Sequence, residues 1–261
     1  MIRLLKIELR KIIYNRTFWI LTALYIVLYI LVILGLQSFI GNINVNGTKL
    51  FKNLPVYRFP DIWHNITYIG SFFKLIPAFL VVIFITNEYS FNTIKQNITT
   101  GLSRNEFVFS KVIFIILYST MSLLIVTLTG FIFGYSCSKP EDMSKIHEGM
   151  IFLLGHYLQL LNYLSLALLI SVIIRKAGLT IVLLLAYSYI IEPILTFKLP
   201  DKIAYYFPVK LINNLITIPF KKYIVGLSFQ TTIPFTDMMV SVVYFAAFIF
   251  LTLIVIRKRD L

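Results

Sequence analysis

Six stretches, at about 17–40, 65–86, 108–135, 149–174, 177–197 and 237–256, each run to some 20 or more mostly apolar residues. That is the length a helix needs to cross about 30 Å of hydrocarbon. Inside a bilayer the backbone N–H and C=O groups of such a stretch must be satisfied within the segment, so each is expected as a helix. Composition agrees: 59% hydrophobic and 13% charged residues, with a mean hydropathy of +0.86, leave too little polar surface to coat a soluble core of 261 residues. The expected fold is an all-α polytopic membrane protein, one transmembrane domain over residues 1–261. The first run is longer than the roughly 7–15 residues of a signal-peptide core and no small-residue cleavage site follows it, so it is expected to remain as a span.

Six spans put both termini on one side. The termini, Lys95, Arg104, Lys111, Arg175 and Lys176 then share that side, where the cations crowd into short segments. The cations opposite are more dispersed, five of them through the long 198–236 interval, so the first side is expected to be cytoplasmic. Residues 1–16 place Ile2, Leu5, Leu9, Ile12 and Ile13 on one face, with Arg3, Lys6, Glu8, Arg10 and Lys11 around the rest. This is either an interfacial helix or a simple positively charged flank. The net charge of +13 sits at the ends of apolar runs and in loops, which favours anionic lipid head groups over nucleic acid as the contact. In the 198–236 interval the apolar pieces are interrupted by Pro208 and Pro219 and are too short to cross. They either re-enter the outer leaflet or form an outer lid.

Polar residues within the spans are the candidates for a pathway. Lys74 lies 12 residues before Thr86, about 18 Å along the helix, well inside the hydrocarbon. Glu192 falls in the outer half of the fifth span. The two either pair, line a route, or reach separately to an interface. His156, Gln159, Asn162 and Ser165 recur every third residue in the fourth span, as a stripe that turns from lipid toward neighbouring helices or substrate. Pro77 and Pro193 are expected to kink or end helical segments.

The polar interval Asn87–Lys111 separates the second and third runs. Phe91, Ile94, Ile98 and Leu102 fall at spacings of three and four, one face of a short amphipathic helix over 88–100. Gly101 fits a helix stop, and Ser103 with Glu106 reads as the S-x-x-E box that opens the next helix. The pattern points to a cytoplasmic docking element with a capped corner, together residues 87–106. No phosphate-binding loop, nucleophile elbow or H-E-x-x-H motif is present, the lone Cys137 builds no disulfide framework or cysteine cluster, and three scattered histidines have no metal-ligand spacing. Neither catalytic nor metal-binding residues are assigned. Energy for uphill transport is expected from another chain.

With its six spans and this interval, the chain resembles the permease subunits of type-2 ATP-binding-cassette exporters. The resemblance rests on Glu8-Leu9-Arg10-Lys11 and Arg16-Thr17-Phe18-Trp19, then Asn87-Glu88-Tyr89-Ser90, Thr93-Ile94, Gly101-Leu102-Ser103-Arg104 and Lys111. Asn92 stands where that family usually has glycine, and Ile98 or Thr99 where it often has leucine. The resemblance implies that 88–100 is a coupling helix docking on a cytoplasmic ATPase, with Glu88, Tyr89, Thr93, Ile94, Ile98, Gly101, Ser103 and Arg104 as the coupling residues. It further implies two ATPase copies that carry ATP and Mg, a second permease of the same or a homologous chain, and a multi-pass location in the bacterial inner membrane. This chain would bind no cofactor itself. Lys74, His156, Gln159, Asn162 and Glu192 are the candidate substrate-pathway residues. Amphipathic cargo, with antimicrobial or toxic peptides as one class, fits the lysine-rich outer face better than a bare cation. Drug or sodium export, or an autonomous transporter or channel, are the alternatives.

Overall fold

The computed structural model describes residues 11, 13–41, 56–91, 93–94, 101, 103–219 and 230–258, without the side chains of 36–41. The N-terminal face over 1–10, Ile98 with the rest of 95–100, Leu102 and the 220–229 part of the outer interval therefore lie outside the described residues. All described regular structure is helical.

The first span is α1, Arg16–Gly41. The second is two helices, α2 (Ile62–Phe72) and α3 (Leu75–Ser90), bent by 41° at the break. Pro77 supplies the cause: it has no N–H to give and its ring crowds the carbonyl four residues back, on Phe73, where the break falls. Then come α4 (Arg104–Cys137), a 3-10 turn over Pro140–Lys145, and α5 (Ile151–Ile174). The fifth span runs through α6 (Ala177–Ala186), a π-helical turn (Tyr187–Ile191) and α7 (Glu192–Lys198). The widened turn lies next to Pro193, the second expected kink. The short helices α8 (Asp201–Ala204) and α9 (Pro208–Asn214) follow, and α10 (Phe235–Lys258) closes the bundle.

The long helices and the bent pair fit the six expected runs, so the protein is a polytopic all-α membrane protein. α5 is the central post: 78% of its spanning window is buried, against 22% for the α6–α7 span and for α10. It packs against α2, α3, α4, α6, α9 and α10. Close approach is set by small residues. A Cβ on Gly130 or Gly134 of α4 would lie 2.5 Å from Trp63 or 2.3 Å from Phe59, both buried aromatic side chains. α2 and the segment before it therefore sit directly on the α4 backbone.

Two helix ends matter for function. The second span does not stop at Thr86 but continues to Ser90, because no breaker intervenes. Glu88 and Tyr89 therefore occupy the last turn of α3. The third helix begins at Arg104, where the Ser103–Glu106 box places its start, so it runs ahead of the apolar run at 108 and carries both Arg104 and Lys111.

Candidate functional site

One end of the bundle is organised around Glu88. Its Oε1 accepts from Lys111 Nζ at 2.6 Å and from Lys11 Nζ at 2.9 Å. One carboxylate thus ties the N-terminal segment, the end of α3 and the first turns of α4 together. Lys111 is almost fully buried and Lys11 half exposed, so the two bonds differ in strength.

The corner after it is capped as the sequence predicts. Ser103 Oγ accepts from the Glu106 N–H at 3.2 Å, and Glu106 Oε2 accepts from the Ser103 N–H at 2.8 Å. Gly101 has φ +98°, the left-handed region where a side chain is strained and glycine is not. Thr93 Oγ1 donates to the Glu88 carbonyl at 3.2 Å. Ile94 is buried in the main core, whereas Phe91 is 74% exposed. The apolar residues of this interval therefore do not share one destination: Ile94 anchors it and Phe91 faces out.

Arg104 is placed by α10. Its Nη1 donates to the carbonyls of Arg257, 2.8 Å, and Ile256, 3.3 Å, and Arg257 Nε donates to Asn105 Oδ1 at 3.0 Å. A cation on the orphan carbonyls of a helix C-terminus is favoured by both hydrogen bonding and the helix dipole. Arg175, in a left-handed conformation at the end of α5, lies 4.9 Å over the Tyr89 ring. The N-terminal segment, the 87–111 interval, the α5–α6 turn and the end of α10 thus meet at one end. Asn105, Arg175 and Arg257 belong to this corner but are not among the residues that the motif singles out, whereas Lys11 is part of the N-terminal Glu8–Lys11 stretch. The short cationic flanks were the signal available for Arg175 and Arg257.

The pathway candidates separate in the opposite half. Lys74 and Glu192 do not pair. Lys74 Nζ bonds Asn213 Oδ1 and lies 5.3 Å from the Tyr163 ring centroid, while Glu192 Oε1 accepts from the Lys210 N–H at 2.6 Å. Both partners belong to α9. Gln159 Nε2 donates to the Ile212 carbonyl, also on α9, at 3.1 Å. The carboxylate sits near the helix N-terminus and the cation near its C-terminus, the signs the dipole favours, although a seven-residue helix makes that contribution small. His156 is fully buried, with Nε2 3.2 Å from Ser122 Oγ on α4. Asn162 Nδ2 donates to Ser241 Oγ on α10 at 2.6 Å, and Ser165 bonds the backbone of its own helix. A three-residue spacing rotates by about 60° per step on an α-helix, so the stripe distributes its members among different neighbours. Lys74 and Gln159 line a cavity of about 370 Å³ with Tyr163 and Asn213; His156, Asn162 and Glu192 do not line it.

In the same half, Tyr205 donates to Asp237 Oδ2 at 2.5 Å. Burial and the adjacent carboxylate push the phenol up to about 12, so it stays a donor across the neutral range. Tyr244 of α10 donates to the Tyr206 carbonyl at 2.6 Å, a second tie between the last span and the segment that precedes it.

The class defined by these features is a helical multi-pass membrane protein with a buttressed polar corner at one end and short helices held by buried polar groups in the other half. The model of ABC-2 family transporter proteins matches residues 2–261, and the chain belongs to that family. No curated protein matches it. Family membership implies the membrane subunit of an ATP-binding-cassette transporter, whose ATP site and ATPase lie on a partner chain.

Proposed function

We propose that the chain is an export permease that couples ATP hydrolysis on a separate cytoplasmic ATPase to movement of an amphipathic substrate, toxic or antimicrobial peptides being one class of cargo. In the working unit two ATPases, with their ATP and Mg, act on two permeases in the bacterial inner membrane, the termini facing the cytoplasm. The observation that carries this reading is the corner built on Glu88. One segment is tied by side chains to the N-terminal region, to α4 and, through Arg104, to α10, while Phe91 stands outward beside it. A push on that segment reaches several helices at once, as a coupling element requires. Alternating access follows if closure of the ATPase pair favours one arrangement of these helices over another. Gln159, Lys74 and Glu192 hold α9 in the opposite half, where an outer gate would lie.

The experiment is ATPase turnover in proteoliposomes containing both chains. Arg104→Glu and Glu88→Lys should abolish stimulation of the ATPase while both variants still insert in the membrane. Unchanged stimulation in both would remove the coupling role.

A further inference from the structure

The cavity between α2, α5, the π-helical turn and α9 holds a buried cation with no counterion among the described residues. Lys74 is 7% exposed, and its neighbours are an amide oxygen, on Asn213, and the face of Tyr163. Among the described residues no carboxylate lies within 4 Å of its Nζ. The partner that the sequence suggests, Glu192, is engaged by the Lys210 N–H instead. A cation at this depth without a counterion is costly, and an amide dipole offsets only part of that cost.

A second side chain lining the cavity has one polar atom with no partner among the described residues. Gln159 is 1% exposed, and its Nε2 is committed to the Ile212 carbonyl, which fixes the amide orientation. Its Oε1 is left buried and unbonded. The cavity is therefore lined by a cation and by an amide whose buried oxygen has no hydrogen-bond partner among the described residues. The complementary ligand is an anion with a hydroxyl or N–H donor next to the charge. About 370 Å³ is near the lower end of ligand pockets, room for a head group but not for a folded peptide. The lining also includes Phe72, Tyr189 and Ile218, all exposed and apolar, so an attached chain would leave along them.

We propose that this cavity binds the anionic, hydroxyl-bearing head group of an amphiphile, with Lys74 meeting the charge and Gln159 Oε1 accepting from the hydroxyl. As a description of cargo this rests on the export reading. Binding itself needs neither ATPase nor nucleotide, so the two can fail separately.

The test uses the full chain in phosphatidylcholine nanodiscs without ATPase or nucleotide. Spin-labelled phosphatidylglycerol and spin-labelled phosphatidylcholine are compared by the protein-immobilised fraction of the signal. The anionic label should be preferred by about tenfold. Lys74→Met should remove the preference and Lys74→Arg should retain it. Asn213→Asp places a carboxylate where the amide oxygen meets Lys74 Nζ and changes almost no volume. It should raise thermal stability and abolish the preference, which keeps the test intact if Lys74→Met does not insert. Equal immobilisation of the two labels, or a preference that survives Asn213→Asp, would overturn the proposal. Inorganic phosphate in millimolar excess should not displace the label; displacement would overturn the amphiphile and assign the cavity to a small free anion.

Discussion

Glu88 has two lysines on one oxygen, and burial decides which of them matters. Lys111 has a side chain 4% exposed and Lys11 one 39% exposed, so removing Lys111 leaves the largely buried carboxylate with only the partly solvated Lys11, while removing Lys11 keeps the buried bond. Lys111→Met should cost about 3 kcal/mol and Lys11→Met less than about 1 kcal/mol. Thermal unfolding in detergent compares the two; equal losses would mean that the corner is not buried as described. Neither assignment could be made from the sequence. The motif brings Glu88, Arg104 and Lys111 to notice, but not that Arg104 turns to the carbonyls of α10, some 150 residues away. Chain separation of that size leaves no local pattern.

At the scale of the elements, what was legible is what local physics controls. The spans follow from apolar runs of membrane length, the break at Phe73 from Pro77, and the start of α4 from the Ser103–Glu106 spacing. Ser103→Ala should therefore destabilise the start of α4 by about 1 kcal/mol, seen as faster amide exchange over 104–107 with no change elsewhere. Exchange unchanged in that turn would mean that the box contributes nothing. What was not legible is contact between elements. α9 stands between Lys74 and Glu192 and takes a bond from each, and a seven-residue helix among prolines has no periodicity long enough to place it. Gly134 is similar: only the fold shows Phe59 lying 2.3 Å from its would-be Cβ. Gly134→Ala should lower stability by roughly 1–3 kcal/mol through overpacking, measured by the same thermal unfolding.

For the whole molecule, two of the polar sites are joined by α5. One end has the Glu88 corner; the other half has α9, held by Lys74, Gln159 and Glu192. Glu192→Gln combined with Gln159→Leu should loosen α9, so amide exchange over 208–214 should rise by at least tenfold while the Glu88 corner stays protected. Equal loosening at both ends would mean general destabilisation rather than release of α9.

The coupling claim is tested most directly at Phe91, which is 74% exposed beside the corner and has little folded-state role to confuse the result. The measurement is stimulation of the partner ATPase by Phe91→Asp permease in proteoliposomes, with thermal unfolding of the same preparation alongside. Stimulation should fall to the level of the ATPase alone while the unfolding temperature stays that of the wild type. Full stimulation by a normally folded Phe91→Asp chain would contradict docking of the ATPase at this end.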